Sequence, residues 1–322
     1  MERKFSEILL RLIPLFSAIL TVLVFLLQFY GNGTNSFGNS STILVVVLTV
    51  FMTSIIVQTL YTINKNPISI TVSIVGFPRV GKTVFLTMLF EELQKRQNSN
   101  IKFSPYGTET IERVIKDVNT LRNGEWLEKT AVNKVFFYRA NASIKKASFL
   151  LPRNEQKYKI EIADYAGEYI DEFNPQHDNW LHRTEYFDYV VKSDAIFFAL
   201  DISKFLYERE QYRKEVDGII AALQILAEKK GAIYDEVVKV PISILFLKSD
   251  LIQSHGTEKE KEILLETERL LAIGKNRFSS IAPFFVSSTG NISKSGNPSQ
   301  RLYPKNVVEP LFWLLNKTRI TK

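Results

Sequence analysis

The chain has 322 residues, of which 45% are hydrophobic and 12% aromatic, so it is predicted to fold as one full α/β domain with an appendage. It contains no cysteine, which excludes a disulfide framework and a thiolate metal site. The net charge of +7 favours anionic partners; a nucleotide and a membrane surface account for it, and nucleic-acid binding is disfavoured because no basic patch with interleaved aromatic residues is evident.

Two uncharged apolar segments, 13–30 and 42–63, lie at the start of the chain. They contain 18 and 22 residues, and a helix needs roughly 20 residues to cross a hydrocarbon core of ~30 Å. Residues 1–66 are therefore predicted to form a transmembrane helical hairpin, followed by a second domain over residues 67–322. A single span is an alternative. A cleaved signal peptide over residues 1–30 is another, but Pro14 and the lack of a small-residue cleavage site disfavour it.

Positive charge flanks this hairpin outside its connecting stretch. The flanking residues are Arg3, Lys4 and Arg11 before the first span and Lys65 after the second, whereas residues 31–41 carry no charge. Because cytoplasmic flanks are rich in Lys and Arg, the N-terminus and the second domain are both predicted to be cytoplasmic. The lipid bilayer is the first predicted partner.

A phosphate-binding loop follows the predicted anchor. The β-branched run 68–75 predicts a strand, residues 76–83 match the pattern G-x-x-x-x-G-K-[ST], and residues 84–96 have helical periodicity. Glycines let backbone N–H groups approach phosphate oxygens, the lysine supplies a positive charge, and the hydroxyl can bind Mg²⁺. The predicted nucleotide contacts here are Gly76, Arg79, Val80, Gly81, Lys82 and Thr83. A glycine turn with a surface lysine is the alternative reading.

A second element follows the alternating strand 158–163. The sequence Asp164-Tyr165-Ala166-Gly167-Glu168 has the D-x-x-G pattern. An aspartate at the carboxyl end of a strand beside the phosphate loop can hold Mg²⁺, and Gly167 can offer its N–H to a γ-phosphate. An ordinary surface turn has the same pattern, so the preceding strand is what favours the functional reading.

Two further strands end in polar residues that suit a nucleobase. Strand 241–247 ends at Lys248-Ser249-Asp250, where a lysine stem can cover a purine and an aspartate can accept hydrogen bonds from N1 and N2 of guanine. After strand 282–286, Ser287 and Ser288 begin a loop that can close over the base. An exposed polar turn is the alternative in both places.

These four elements, each after a strand, resemble the TRAFAC class of P-loop GTPases, which includes Ras-like and translation-factor GTPases. Together with residues 124–130, the D-x-x-G region is most similar to the bacterial double-GTPase group associated with conflict and defence. The resemblance implies GTP or GDP with Mg²⁺, Mg²⁺ ligands Thr83, Thr130 and Asp164, and catalytic roles for Lys82, Thr130, Gly167 and Glu168. It also implies a bacterial inner membrane. Thr108, Thr110 and Thr120 are rivals of Thr130 for the switch threonine.

The chain departs from that family pattern at two positions. Leu247 stands where Asn or Thr is usual, which weakens the guanine assignment, and Glu168 stands where Ras-like enzymes have glutamine. Arg79 and Arg183 are candidate arginines for the transition state, with surface exposure as the alternative. His177 and His182 lack the further ligands of a metal site, so switch-region solvation is favoured for them.

The predicted fold is a doubly wound, mainly parallel α/β sheet of the Ras-like type, preceded by the hairpin. A strand over 195–200 and helices over 108–121, 203–230, 257–273 and 306–316 complete the pattern, and strands 134–140 and 147–151 are expected to add an antiparallel edge. The first of these helices has an apolar stripe of Ile111, Val114, Ile115, Val118 and Leu121.

The sequence therefore favours a membrane-anchored GTPase that hydrolyses GTP and acts as a regulatory switch, with a protein effector docking on the switch face. A nucleotide-dependent membrane docking receptor that does not hydrolyse GTP, and an ATP-specific P-loop NTPase, are the alternatives.

Overall fold

The computed structural model describes residues 48, 51, 52, 54, 55, 67–96, 101–129, 135–146, 154–165, 185–231, 237–290 and 297–321. The chain divides into two compact units, Met1–Asn66 with Lys146–Gln156 and Pro67–Lys145 with Lys157–Lys322. The second unit contains the α/β domain.

Strands and helices alternate along the described part of this domain. In chain order they are β1 (Ile68–Gly76), α1 (Lys82–Lys95), β2 (Ile101–Pro105), α2 (Thr108–Arg122), β3 (Phe136–Lys146), β4 (Asn154–Asp164), α3 (Glu185–Lys192), β5 (Ala195–Asp201), α4 (Ile202–Tyr207), α5 (Arg209–Lys229), β6 (Val238–Leu247), a 3₁₀ helix (Ser249–His255), α6 (Gly256–Glu266), α7 (Glu268–Arg277), β7 (Phe278–Val286) and α8 (Glu309–Thr321).

The strands form one sheet in the order β2-β3-β4-β1-β5-β6-β7. The pairs β1–β4, β1–β5, β5–β6 and β6–β7 are parallel, and β2–β3 is antiparallel. The predicted mainly parallel sheet with an antiparallel edge is thus confirmed. Its edge strand is β2, which was not predicted, whereas the predicted strand 147–151 lies outside the described residues.

Both faces of the sheet are buried, as expected when helices cover each side. Along β5, Ala195, Phe197 and Ala199 belong to one hydrophobic cluster and Ile196, Phe198 and Leu200 to the other. The first cluster includes side chains of α1, α2 and α8, and the second includes side chains of α4 and α5. Because successive side chains of a strand point to opposite faces, a continuous apolar run serves both layers. The doubly wound arrangement follows from this packing.

Two predicted helices are each divided into two. The predicted helix 203–230 consists of α4 and α5, separated by Glu208, whose φ of −138° and ψ of 58° are not helical. The predicted helix 257–273 consists of α6 and α7, separated by buried Thr267, whose hydroxyl donates to the carbonyl of Ile263 at 2.9 Å. Neither break contains Gly or Pro, so composition did not reveal it.

The predicted apolar stripe of α2 is only partly buried. Val114, Val118 and Leu121 lie in the core, but Ile111 and Ile115 are 43% and 57% exposed. Thr110 and Asp117 are buried instead, because Thr110 donates to the Phe137 carbonyl at 3.1 Å and Asp117 pairs with Arg113 at 3.4 Å. The buried face of α2 therefore includes Thr110 and Asp117, which have hydrogen-bond or ion-pair partners, and leaves out Ile111 and Ile115.

No helix among the described residues is long and apolar enough to cross a bilayer. The predicted spans 13–30 and 42–63 fall outside those residues, except for positions 48, 51, 52, 54 and 55. The membrane hairpin and its boundary with the second domain stay predictions.

Truncation of Leu223 tests the packing of α5 on the sheet. Leu223 is fully buried, so Leu223→Ala should lower the free energy of unfolding by about 2–5 kcal/mol through lost contacts and a residual cavity. The matched control is Leu265→Ala, which removes the same atoms from a side chain that is 72% exposed and should change stability by less than about 0.5 kcal/mol. Urea unfolding followed by circular dichroism measures both, and equal losses would contradict the placement of α5.

Candidate nucleotide-binding site

The predicted site residues follow the carboxyl ends of neighbouring parallel strands. Gly76 pairs with Ala199 in the β1–β5 register, and Ile74 of β1 pairs with Asp164 of β4. In the next strands, Leu247 pairs with both Asp201 and Val286. Polar groups that are far apart in sequence therefore meet at one edge of the sheet, where open α/β sheets bind ligands.

The phosphate loop begins at a close backbone contact. A Cβ atom on Gly76 would lie 2.8 Å from the carbonyl oxygen and 3.1 Å from the Cβ of Ala199, so only glycine fits there. Gly81 and Arg79 have φ values of 100° and 64°, which turn the backbone into α1. The loop conformation thus depends on glycine at two of its positions, and Arg79 adopts a conformation that is uncommon for a residue with a side chain.

Lys82 crosses beneath this loop. Its Nζ donates to the carbonyls of Gly76 at 2.7 Å and Phe77 at 3.0 Å, and its side chain is buried. The Phe77 ring in turn packs on α5, because a Cβ on Gly218 would lie 2.7 Å from its Cζ. The ammonium group is therefore held at the N-terminus of α1, beside the partial positive charge of the helix. This is the position from which a phosphate-loop lysine reaches anionic oxygens.

Thr83 and Asp164 form the candidate metal site. The Thr83 hydroxyl donates to Oδ2 of Asp164 at 2.9 Å. Asp164 is fully buried, and its Oδ1 has no hydrogen-bond partner among the described residues. A buried carboxylate oxygen without a partner, next to a hydroxyl, suits Mg²⁺, which prefers oxygen ligands. These two residues therefore fit the predicted metal, with Asp164 acting directly or through a bound water.

Burial is the main influence on Asp164. Loss of solvation raises the pKa of its carboxyl, although the positive charge of Lys82 and the hydrogen bond from Thr83 lower it. A divalent cation would favour the ionised form of Asp164 further. The positive charge of Lys82 and the hydrogen bond from Thr83 offset the cost of burial only in part, so the carboxyl is suited to bind a cation.

A cavity of about 390 Å³ extends from the phosphate loop to the predicted base-binding residues. It has the size expected of a small-molecule site. Its walls come from the loop and α1, the segment after α2, α4, the end of β6 and the segment after β7: Val80, Gly81, Val84, Trp126, Ser203, Tyr207, Leu247, Lys248, Asp250, Leu251, Ser288 and Thr289.

Asp250 is held at this cavity by Ser287. The Ser287 hydroxyl donates to Oδ1 of Asp250 at 2.8 Å and accepts from the backbone N–H of Gly290 at 3.1 Å. Ser287 is fully buried, whereas Ser288 and Thr289 line the cavity. Burial raises the pKa of Asp250, and the hydrogen bond from Ser287 opposes that rise. Of the two predicted serines, Ser287 orients the aspartate and Ser288 faces the cavity.

Sequence reasoning did not assign Asp201 to the site, nor several cavity-lining residues that include Trp126, Ser203 and Tyr207. Asp201 ends the buried strand β5 at the same sheet edge, so its position carried a usable signal. Trp126 lies within residues 124–130, which carry the family resemblance, but neither Trp126 nor Tyr207 was assigned a contact in the site. They are 43% and 75% exposed and lie outside strand ends.

The remaining predicted site residues either lie away from the cavity or lie outside the described residues. Arg79 is exposed and does not line the cavity. Thr130, Gly167 and Glu168, together with the candidate arginine Arg183, lie outside the described residues.

Comparison with known proteins decides the family. Residues 70–302, more than two thirds of the chain, match the Double-GTPase 2 family. The chain belongs to the Double-GTPase 2 family. A search of curated proteins gave no match. Membership in Double-GTPase 2 implies a GTPase that binds guanine nucleotide, and the matched range contains the phosphate loop, Asp164, Lys248, Asp250 and the segment after β7.

The variant Asp164→Asn tests the metal site in this Double-GTPase 2 protein. We expect Mg²⁺-dependent nucleotide binding to weaken by about 10- to 100-fold, because loss of a residue that contacts a metal through its outer shell typically lowers metal affinity that much. Burial raises the pKa of folded Asp164 above its unfolded value, so its ionisation costs stability as pH rises through the folded pKa. The nucleotide-free variant should therefore be as stable as wild type, or up to about 1 kcal/mol more stable, at pH 7.

Titrations of GDP binding with Mg²⁺ and thermal unfolding at pH 7 and pH 4 measure these effects. Asp117→Asn is the matched control, since Asp117 is a buried carboxylate whose contacts are Arg113 and Thr87. The control should leave the Mg²⁺ midpoint unchanged. If Asp164→Asn also leaves it unchanged, the metal assignment is wrong.

Proposed function

We propose that this protein binds GTP with Mg²⁺ and hydrolyses it to GDP and phosphate. The observation that carries the proposal is the continuous cavity from Gly81 of the phosphate loop to Lys248 and Asp250. Its two ends differ in chemistry. One end lies at Gly81, at the N-terminus of α1 and directly before Lys82, and suits polyphosphate. The other end has the Asp250 carboxylate, which accepts hydrogen bonds and suits the N1–H and N2–H of guanine.

In the proposed reaction, water attacks the γ-phosphorus and the bond from that phosphorus to the β–γ bridging oxygen breaks, leaving GDP and inorganic phosphate. Lys82 and the backbone N–H groups of the loop neutralise negative charge on the phosphate oxygens. Thr83 and Asp164 would hold the metal ion, which would supply further charge neutralisation. Thr130, Gly167 and Glu168 are proposed to sense the γ-phosphate and position the water, in keeping with the family resemblance.

The protein is further proposed to act as a switch that is read by a protein effector. Tyr165 follows Asp164 directly, and its ring centroid lies 4.3 Å from that of Tyr186 and 5.9 Å from that of Tyr189, both on α3. A backbone change beside Asp164 would therefore displace α3 through these rings. A local event at the γ-phosphate would in this way alter a surface on which a partner can dock.

The substitution Asp250→Ala tests the guanine assignment. We expect wild type to prefer GTP over ATP and the variant to lose that preference by on the order of 100-fold, because guanine hydrogen-bond donors would lose their acceptor. Competition between labelled GTP and ATP measures the preference. Lys82→Ala is the control for lysine-dependent phosphate release.

Each outcome distinguishes the alternatives. Equal affinity of wild type for GTP and ATP would contradict the guanine assignment, and a preference for ATP would favour an ATP-specific P-loop NTPase. Guanine binding without lysine-dependent turnover, alone or with a partner, would favour a docking receptor that does not hydrolyse GTP. The affinity measurement therefore tests the guanine assignment, and the turnover measurement tests GTP hydrolysis.

Membrane anchoring through residues 1–66 is also proposed, with the catalytic domain on the cytoplasmic side of a bacterial inner membrane. The two uncharged apolar segments and the flanking Arg3, Lys4, Arg11 and Lys65 support it. The full chain should remain with membranes after alkaline carbonate extraction, because two spans insert stably. A chain lacking residues 1–66 should be released, and release of the full chain would refute the anchor.

A further inference from the structure

We propose that Asp201 is a positioning residue for nucleotide binding, because it fixes the Lys248 ammonium so that the lysine stem forms one wall of the nucleobase pocket. This inference rests on the proposed function and names a residue that acts through Lys248. Leu247, directly before that lysine, is apolar and buried, so it cannot hold the lysine by a polar contact. The holding group comes from the neighbouring strand instead.

The contact between the two residues is short and sheltered. Asp201 is the last residue of β5 and lies opposite Leu247 in the β5–β6 register. Its Oδ2 accepts a hydrogen bond from Lys248 Nζ at 2.5 Å, and its side chain is 3% exposed while that of Lys248 is 35% exposed. A charge-assisted bond to a buried carboxylate is stronger than an exposed surface pair, so the ammonium group has a defined position.

The carboxylate itself cannot easily rotate. Its second oxygen, Oδ1, accepts from the backbone N–H of Ser203 at 2.8 Å and from the Ser203 hydroxyl at 2.6 Å. Asp201 thereby caps the N-terminus of α4. Because each oxygen has its own partner, the carboxylate presents a fixed acceptor to Lys248.

In the described part of the chain, the nearby lysine Lys204 does not compete with Lys248 for Asp201. Lys204, the cation on α4, donates to Glu215 of α5, which is fully buried. Asp201 therefore has Lys248 as its ion-pair partner, and Lys204 has Glu215. Two adjacent buried carboxylates thus hold two different lysines, and only one of these lysines lines the cavity.

The backbone also directs Lys248 toward the pocket. Its φ of 64° is left-handed, and its carbonyl accepts from the N–H of Leu251 at 3.2 Å. With the ammonium group fixed at Asp201, the aliphatic stem lies along the cavity wall as an apolar surface for a planar base. The Lys248 stem does not distinguish one purine from another, whereas the Asp250 carboxylate can. Asp201, which positions the stem, and Asp250, which selects the base, therefore have separate roles.

A double-mutant cycle tests the proposal on the full chain. The dissociation constant for GDP is measured by calorimetry in wild type, Asp201→Asn, Lys248→Met and the double variant. We expect Asp201→Asn to weaken GDP binding about tenfold when Lys248 is present, and less than twofold in the Lys248→Met background, because the residue acts through the lysine. The ratio of GDP to ADP affinity should stay the same in Asp201→Asn, unlike in Asp250→Ala.

Glu215→Gln is the matched control, since it neutralises the neighbouring buried carboxylate that holds Lys204. It should change the melting temperature and leave the GDP dissociation constant unchanged. Equal weakening by Asp201→Asn in both backgrounds would show a general loss of structure and would overturn the proposal. So would unchanged GDP affinity in Asp201→Asn. If wild type itself binds no guanine nucleotide, it is the proposed function that fails.

A second comparison keeps Asp201 intact, in case Asp201→Asn does not fold. Lys248→Gln retains an amide that can donate to Asp201, whereas Lys248→Met retains only an apolar stem. Lys248→Gln should bind GDP at least threefold more tightly than Lys248→Met. Equal affinities of these two variants would overturn the proposal as well.

Discussion

The close contact between β1 and β5 is the constraint on which the rest of the site depends. Gly76 lies against the backbone of Ala199 so closely that a methyl group would collide with the carbonyl oxygen. This contact sets where the chain leaves the sheet and hence where the phosphate loop turns. The carbonyl of Gly76 also accepts from Lys82 at 2.7 Å, so the position of the lysine depends on the same contact. Parallel strands on either side then bring Asp164 and Asp201 to the same edge.

Much of this architecture could be predicted from the sequence because its signals are local. Buried strands in a parallel sheet are long apolar runs, and β1, β5 and β6 are such runs. A phosphate loop has fixed spacing, so Gly76, Lys82 and Thr83 were identifiable without any knowledge of tertiary structure. Asp164 ends β4 and Asp250 lines the cavity shortly after β6, in keeping with the predicted strand-end positions, whereas Asp201, which ends β5, was not identified.

Features that depend on long-range partners could not be predicted. Thr110 is buried because it bonds to the backbone of β3, and Ile115 is exposed although it continues the apolar period of α2. The interruption at Glu208 follows from no breaking residue, and strand β2 contains a lysine and a proline in five residues. Trp126 lines the cavity only because the segment after α2 returns to the phosphate loop. In each case the deciding contact lies outside a local window of sequence.

The charged groups of the candidate site share one property, which is that the fold already holds each of them. Lys82 is held by backbone carbonyls, Asp250 by Ser287, and Lys248 by Asp201. A side chain that is ordered before binding loses little entropy when a ligand arrives, so affinity is gained without new contacts. Ordering of these side chains before binding also increases selectivity among ligands. A ligand must offer hydrogen bonds at least as good as those it disturbs, and a base lacking donors for Asp250 would leave a partly buried carboxylate poorly solvated.

Asp164 differs from these charged groups because only one of its two carboxylate oxygens has a hydrogen-bond partner among the described residues. Its Oδ2 is bonded to Thr83, but its Oδ1 is buried without a partner in the described part of the chain. Such a group costs stability in the folded protein, and proteins keep costly buried charges mainly where function uses them. Among the described charged side chains of the candidate site, Asp164 has the buried oxygen that lacks a hydrogen-bond partner, and a cation would complete it. A cation bound at Asp164 would therefore lie next to the segment that leads through Tyr165 to α3.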